Sequence, residues 1–263
     1  MSNKSNISDI IKFELYLTDR VSLNTTRVYI YALKQWFNTL NGSRVTSVAA
    51  QAYIDKLTKA GKSPSTVGLR AHAIMRFFKW KGKPITLDCP TIRIGEPDYL
   101  VIEQIEKLLA TSNTVLEDTL ITVLFDTAVR VSELLNLELS DINWTGKFIS
   151  VVRKGGRRAE VNISDKALVA LGAWLDARES NSKRVFMDIS YYDAWSILKA
   201  TGKRAGIPVH PHIFRHSRAI FMLMNGAELY TVKEHLGHVN IATTANIYGR
   251  FKAVHLKELL PTW

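Results

Sequence analysis

Three prolines (Pro84, Pro90, Pro97) and two glycines (Gly82, Gly95) fall between Lys81 and Asp98, and no long helix or strand survives that density. The chain is therefore expected to fold in two parts, with residues 1–83 and 99–263 joined by a linker at 84–98. Both parts are long enough to bury a core, and 46% hydrophobic residues against 22% charged suits globular units.

The first part is patterned for helices. Ser8 is a candidate cap for a helix over Asp9 to Asp19, with Ile10, Ile11, Phe13, Leu15 and Leu17 at helical spacing. Asn24, Thr25 and Thr26 offer capping side chains for the next, whose stripe reads Val28, Tyr31, Ala32, Trp36 and Phe37. A third runs from Ser47 to Ala60. The fourth starts at Ser63-Pro64-Ser65-Thr66, where a proline in the first turn costs no hydrogen bond, and continues to Trp80. The second part is mostly helical as well, with helices expected over Val101 to Ala110, Leu116 to Val129 and Val131 to Leu137. It also holds one β-hairpin, Phe148 to Val152 and Ala159 to Ile163, around Gly155-Gly156. The expected class is mainly α with a small β-hairpin or sheet.

Charge narrows the partner. Of the net +11, a balance of +10 sits in the first 95 residues, where 15 Lys and Arg face 5 Asp and Glu. A field this lopsided favours a polyanion, nucleic acid before membrane. No apolar run is long enough to span a bilayer, and no secretory leader is visible at the N-terminus. The single cysteine, Cys89, excludes an internal disulfide and a cysteine-rich zinc site, and fits a reducing cytoplasm.

Four local patterns in the second part could carry chemistry. Arg130 lies in the apolar run VLFDTAVRVSELLNL, where an arginine needs a specific partner, and Glu133 follows at i+3. The hairpin turn carries Arg153, Lys154, Arg157 and Arg158, either a solvated basic loop or an anion site. His212, Arg215 and His216 share a helical face. Histidines at that spacing can hold zinc, but a fixed guanidinium among them favours an oxyanion. The last pattern is His235-Leu236-Gly237-His238, followed by Thr243-Thr244 and Tyr248. Together these suit metal-free phosphoryl transfer. Arginines grip the nonbridging oxygens, imidazoles move protons, and a phenol attacks in line.

In this order and context, Arg130, Lys154, His212-x-x-Arg215-His216, Leu236-Gly237-His238 and Tyr248 resemble the tyrosine recombinase (phage integrase) family. The likeness reaches the first part, through Leu23-Asn24-Thr25-Thr26 and Lys62-Ser63-Pro64-Ser65-Thr66. It implies an N-terminal helical core-binding (SAM-like) domain and a C-terminal catalytic domain. It also implies roles. Arg130 and Arg215 would bind the scissile phosphate, and Lys154 would protonate the departing 5′ oxygen. His212 would take the nucleophile's proton, His238 would hydrogen-bond the phosphate, and Tyr248 would form a 3′-phosphotyrosyl link. Glu133 and His216 would support that set, and Arg27, Lys34, Arg70, Arg76 and Lys79 would meet DNA. No metal and no cofactor is implied. The implied partner is double-stranded DNA carrying a specific site, engaged by a homotetramer in the cytoplasm, at the nucleoid, without a membrane. The apolar tail from Phe251 to Trp263 would dock on a neighbouring subunit or fold back on its own. Ala128 stands where the family commonly has glycine. The alternatives are a catalytically silent DNA-binding relative, a type IB topoisomerase-like relaxing enzyme, and a zinc hydrolase using the histidines.

Overall fold

The computed structural model describes residues 2–91, 98–153 and 155–237. Internal packing gathers the chain into two compact units, Met1–Ile94 and Gly95–Trp263.

The first unit is four helices, α1 (Ser2–Thr18), α2 (Leu23–Thr39), α3 (Ser47–Lys59) and α4 (Pro64–Trp80). Ser8 caps nothing. The helix already runs through it from Ser2, and extending a helix costs less than nucleating one. The cap of α2 is Ser22, whose hydroxyl accepts the Thr25 N–H at 3.2 Å, two residues before the first of the Asn24-Thr25-Thr26 candidates. Ser63 does the same for α4, accepting from Thr66 with Pro64 in the first turn. Phe13, Trp36, Phe77 and Ile74 are fully buried between the helices, and Phe13 meets Phe77 edge-on at 5.5 Å. The buried stripe of α2 is Ile30, Leu33, Trp36 and Phe37. Tyr31, placed in that stripe from sequence, is exposed, because one residue beyond Ile30 turns a side chain about 100° around the helix.

The start of the 84–98 segment belongs to this unit. Leu87 is buried in its core and Ile85 packs beside it. Gln51 brackets Asp88, accepting its N–H at 2.9 Å and donating to its carbonyl at 3.2 Å.

The second unit is built around α6 (Val115–Thr127), apolar on nearly every side and packed between its neighbours. Beside it stand α5 (Ile102–Ala110), α8 (Asp165–Ala177), α9 (Tyr191–Ala205) and α10 (Pro211–Met224). A short α7 (Val131–Leu135) follows α6, and α11 (Leu229–Leu236) closes the described part. Three antiparallel strands, β1 (Ile142–Asn143), β2 (Phe148–Val152) and β3 (Arg158–Asn162), lie in sequence order, with Ile149 opposite Val161 and Val152 opposite Arg158. Strand β1 is too short to leave a sequence signal. The hairpin closes through Arg153 N–H to Arg157 C=O at 2.8 Å, and both turn glycines take positive φ. Among the described residues, no helix is long and apolar enough to cross a membrane.

Candidate active site

The site forms where α6 stops. Ala128 adopts a left-handed φ of 53° and ends the helix, two residues short of the sequence expectation. That conformation costs a residue with a β-carbon roughly 1 kcal/mol, which explains why glycine would be at home there. The chain then turns extended at Arg130, which therefore sits at the N-cap of α7 rather than inside a helix. Glu133, buried one turn on, holds it at two points. One carboxylate oxygen accepts the Arg130 N–H at 2.9 Å and the other accepts from Nη1 at 2.6 Å. The Arg130 side chain remains one-third exposed (33%), so its guanidinium is fixed yet open to a ligand.

Helix α10 begins with His210 at the N-cap and Pro211 in the first turn, which places His212 at the helix mouth. Arg215, one turn further, is 6% exposed. Its Nη1 donates to the Ala128 carbonyl at 2.7 Å and its Nη2 to the Leu236 carbonyl at 2.5 Å. One guanidinium thus joins α10, the break before Arg130, and the C-terminus of α11. His212 is exposed, but protein packed against it and the charges of Arg215 and Arg130 hold its imidazole below the usual range. It is the neutral, proton-accepting form near neutral pH. His216 is half-buried and is shifted the same way, by burial first and then by His212 and His210.

Two residues that the sequence reading underrated sit here too. Arg153 belongs to the basic hairpin, where solvation is the simple expectation, but it is buried. Its guanidinium donates to the carbonyls of Glu234 at 3.5 Å and His235 at 3.0 Å. Only Arg157 and Arg158 of the described hairpin cations face solvent, and Arg158 pairs with Asp141. His235 is pushed down to about 4 by burial and by Arg218 and Arg153. The sequence marks both as members of a pattern but not as buried, and the carbonyls that hold Arg153 lie 81 and 82 residues away along the chain.

These histidines make the fold acid-sensitive. An imidazole whose folded pKa is depressed binds its proton more readily when the chain unfolds. Its contribution is complete above about 6.5, the unfolded value, and is lost as pH falls. Urea unfolding is expected to shift to lower denaturant from pH 6.5 down to about 4, the value for His235. His235→Gln should flatten that slope, and an unchanged slope would assign the acid lability elsewhere.

In the first unit, Arg27 and Lys34 are exposed on α2 and share a face with Tyr31. Arg70 of α4 lies over the Tyr31 ring at 4.8 Å. Lys79 is exposed and Arg76 half-buried, with its Nε buried and unbonded. Lys154, His238 and Tyr248, with the tail from Phe251, lie outside the described residues.

A cluster of two guanidiniums and a neutral imidazole, assembled from α10 and the α6–α7 break, is suited to a phosphodiester. The phage integrase family model matches residues 98–254, the stretch that contains this cluster. The chain belongs to the phage integrase family of tyrosine recombinases. This family member is 32% identical to tyrosine recombinase XerA of Pyrococcus horikoshii over 268 residues, covering 96% of this chain and 93% of the relative. The crystal structure of XerA recombinase aligns over 97% of this chain and 100% of its own, at 25% identity and a TM-score of 0.57. The Tn1549 transposon integrase, solved with circular intermediate DNA, shares the fold at a TM-score of 0.75. It is 17% identical, with 95% of this chain and 99% of that one covered.

Proposed function

We propose that this recombinase cleaves and rejoins DNA strands at a specific site through a covalent bond from Tyr248 to the 3′ phosphate. The observation that carries the reading is Arg215, which reaches from α10 to the carbonyl of Ala128 and so draws the second guanidinium to the segment presenting Arg130. Two fixed cations of this kind bind the nonbridging oxygens bidentately and stabilise the charge that grows on them during attack. His212 takes the phenolic proton as the Tyr248 oxygen attacks phosphorus. The 5′ oxygen departs with a proton from Lys154, and His238 donates to the phosphate. Attack of a 5′ hydroxyl on the phosphotyrosine reverses these transfers, so rejoining needs no nucleotide. Arg27, Lys34 and Lys79, with Arg70 and Arg76 partly inside, would meet the DNA backbone. Four copies would hold two duplexes.

The test begins with a pool of nicked duplexes whose cores are randomised. A nick lets the short 5′-hydroxyl strand diffuse away, which traps the covalent intermediate. The expected result is a detergent-stable protein–DNA adduct, formed equally in excess chelator, that enriches one duplex sequence. DNA retention without an adduct would mean a silent binding relative. Relaxation of supercoiled DNA that lacks the enriched sequence would mean a topoisomerase. An adduct lost in chelator would revive the zinc reading.

A further inference from the structure

Lys154 follows directly on Arg153 in a hairpin whose turn holds two glycines in positive-φ conformations, so the turn alone does little to aim a side chain. The aim has to come from an anchor, and Arg153 is built as one. Its backbone closes the base of the hairpin through the Arg157 carbonyl. Its side chain leaves the hairpin altogether and caps the last turn of α11. Carbonyls at a helix C-terminus lack intrahelical partners and carry partial negative charge, so a guanidinium is the matching group. The fit is close. Gly237, the left-handed C-cap of α11 at φ 64°, lies against the Arg153 guanidinium, and a β-carbon there would overlap it.

The C-terminus of α11 has a second holder. Arg215 takes the Leu236 carbonyl, so the two guanidiniums cap three successive carbonyls, those of Glu234, His235 and Leu236, from different elements. Removing Arg153 therefore leaves α11 clamped by Arg215 but cuts the hairpin loose from it. The asymmetry decides which partner depends on the contact.

We infer that Arg153 is a positioning residue for Lys154, tying the hairpin to the C-cap of α11 so that the lysine meets the departing 5′ oxygen. The inference rests on the reading of Lys154 as the general acid. It does not require Arg153 to touch DNA.

The chemistry supplies a readout that general loss of fold cannot imitate. In a 5′-bridging phosphorothiolate the leaving atom is sulfur, which departs as thiolate without a proton, so a general acid is dispensable. The probe is the duplex enriched by the wild-type chain, made with oxygen or with sulfur at the scissile bond. The ratio of sulfur to oxygen cleavage rates, taken within one preparation, does not depend on the fraction folded. Arg153→Ala is expected to slow oxygen cleavage by about 10²-fold, the scale of a misplacement near 1 Å, and sulfur cleavage by no more than about threefold. Arg153→Lys keeps the charge without the fork that spans two carbonyls and should show the same raised ratio, which covers a poorly folding alanine variant. Lys154→Ala is the control, with a ratio at least as high. Should Lys154→Ala be rescued by sulfur while both Arg153 variants lose the two rates equally, or lose neither, Arg153 does not position the lysine and the reading of Lys154 stands. Should sulfur fail to rescue Lys154→Ala, the general-acid assignment itself falls.

Discussion

Tyr248→Phe is expected to abolish the detergent-stable adduct while DNA retention stays within about twofold of the wild type. The substitution deletes one oxygen. It leaves the ring, the charge and the guanidinium cluster in place, so the phosphate is still gripped. With no nucleophile on the chain, the two-step route through a covalent intermediate closes. A partial loss would be informative in the opposite sense. Tyr230 is the nearest alternative phenol, in the first turn of α11 and 61% exposed, with the Lys233 ammonium 5.1 Å from its ring centroid. If peptide mapping of a residual adduct found the nucleotide on Tyr230, the assignment of the nucleophile would be wrong. The fold and the phosphate-binding cluster would be untouched.

Most of the architecture was legible because local rules and tertiary packing agree. The Ser63-Pro64 start sets the beginning of α4, and the hairpin sits where its glycines put it. The errors have physical causes. Ser8 is a good cap only if nothing precedes it, and α1 does. Tyr31 looked apolar enough for a core stripe, yet the face it occupies carries Arg27, Lys34 and the stacked Arg70. The sequence carries α6 on to Val129, and Ala128, a strong helix former, gives no sign of a stop. It takes a left-handed conformation instead, with its carbonyl held from α10 by Arg215, a contact no local rule could show.

The site divides along the same line. Residue types and order pick out Arg130, His212 and Arg215, since an arginine inside an apolar run and a His-x-x-Arg-His helix are both visible in one dimension. Burial is not visible there. Four cations around a turn look alike on paper, and only packing shows that Arg153 points inward while Arg157 stays in water. The convergence of Arg153 and Arg215 on one helix end is a three-dimensional fact with no periodicity behind it.

Arg215→Ala should be the most damaging of the arginine replacements, in fold and in chemistry together. The side chain is 6% exposed and donates to two carbonyls, on Ala128 and Leu236, whose residues are themselves buried. Hydrogen bonds from a charged donor contribute about 1.5–3 kcal/mol each, and abandoned carbonyls add their desolvation. A loss of about 3–5 kcal/mol in the second unit follows, seen as a fall in Tm of roughly 10 °C. Cleavage should fall by about 10³-fold or more even below that Tm, because a preorganised donor to the developing phosphate charge is gone. Arg130→Ala separates the two effects. Arg130 is partly open to solvent, and Glu133 still accepts the N–H of residue 130 after truncation, so Tm should move by only a few degrees while cleavage drops on a similar scale. The measurements are thermal unfolding and single-turnover cleavage of the same duplex. If Arg215→Ala unfolded normally and cut normally, the bridge between Ala128 and Leu236 would hold nothing together. If Arg130→Ala matched it in lost stability, the division between a guanidinium that serves both fold and chemistry and one that serves chemistry alone would be mistaken. The physical basis of the division is solvent: a guanidinium that already holds two carbonyls in the dry interior shapes the site it helps to charge, whereas one held by a single buried carboxylate, with a third of its side chain exposed, can turn its remaining donors to DNA.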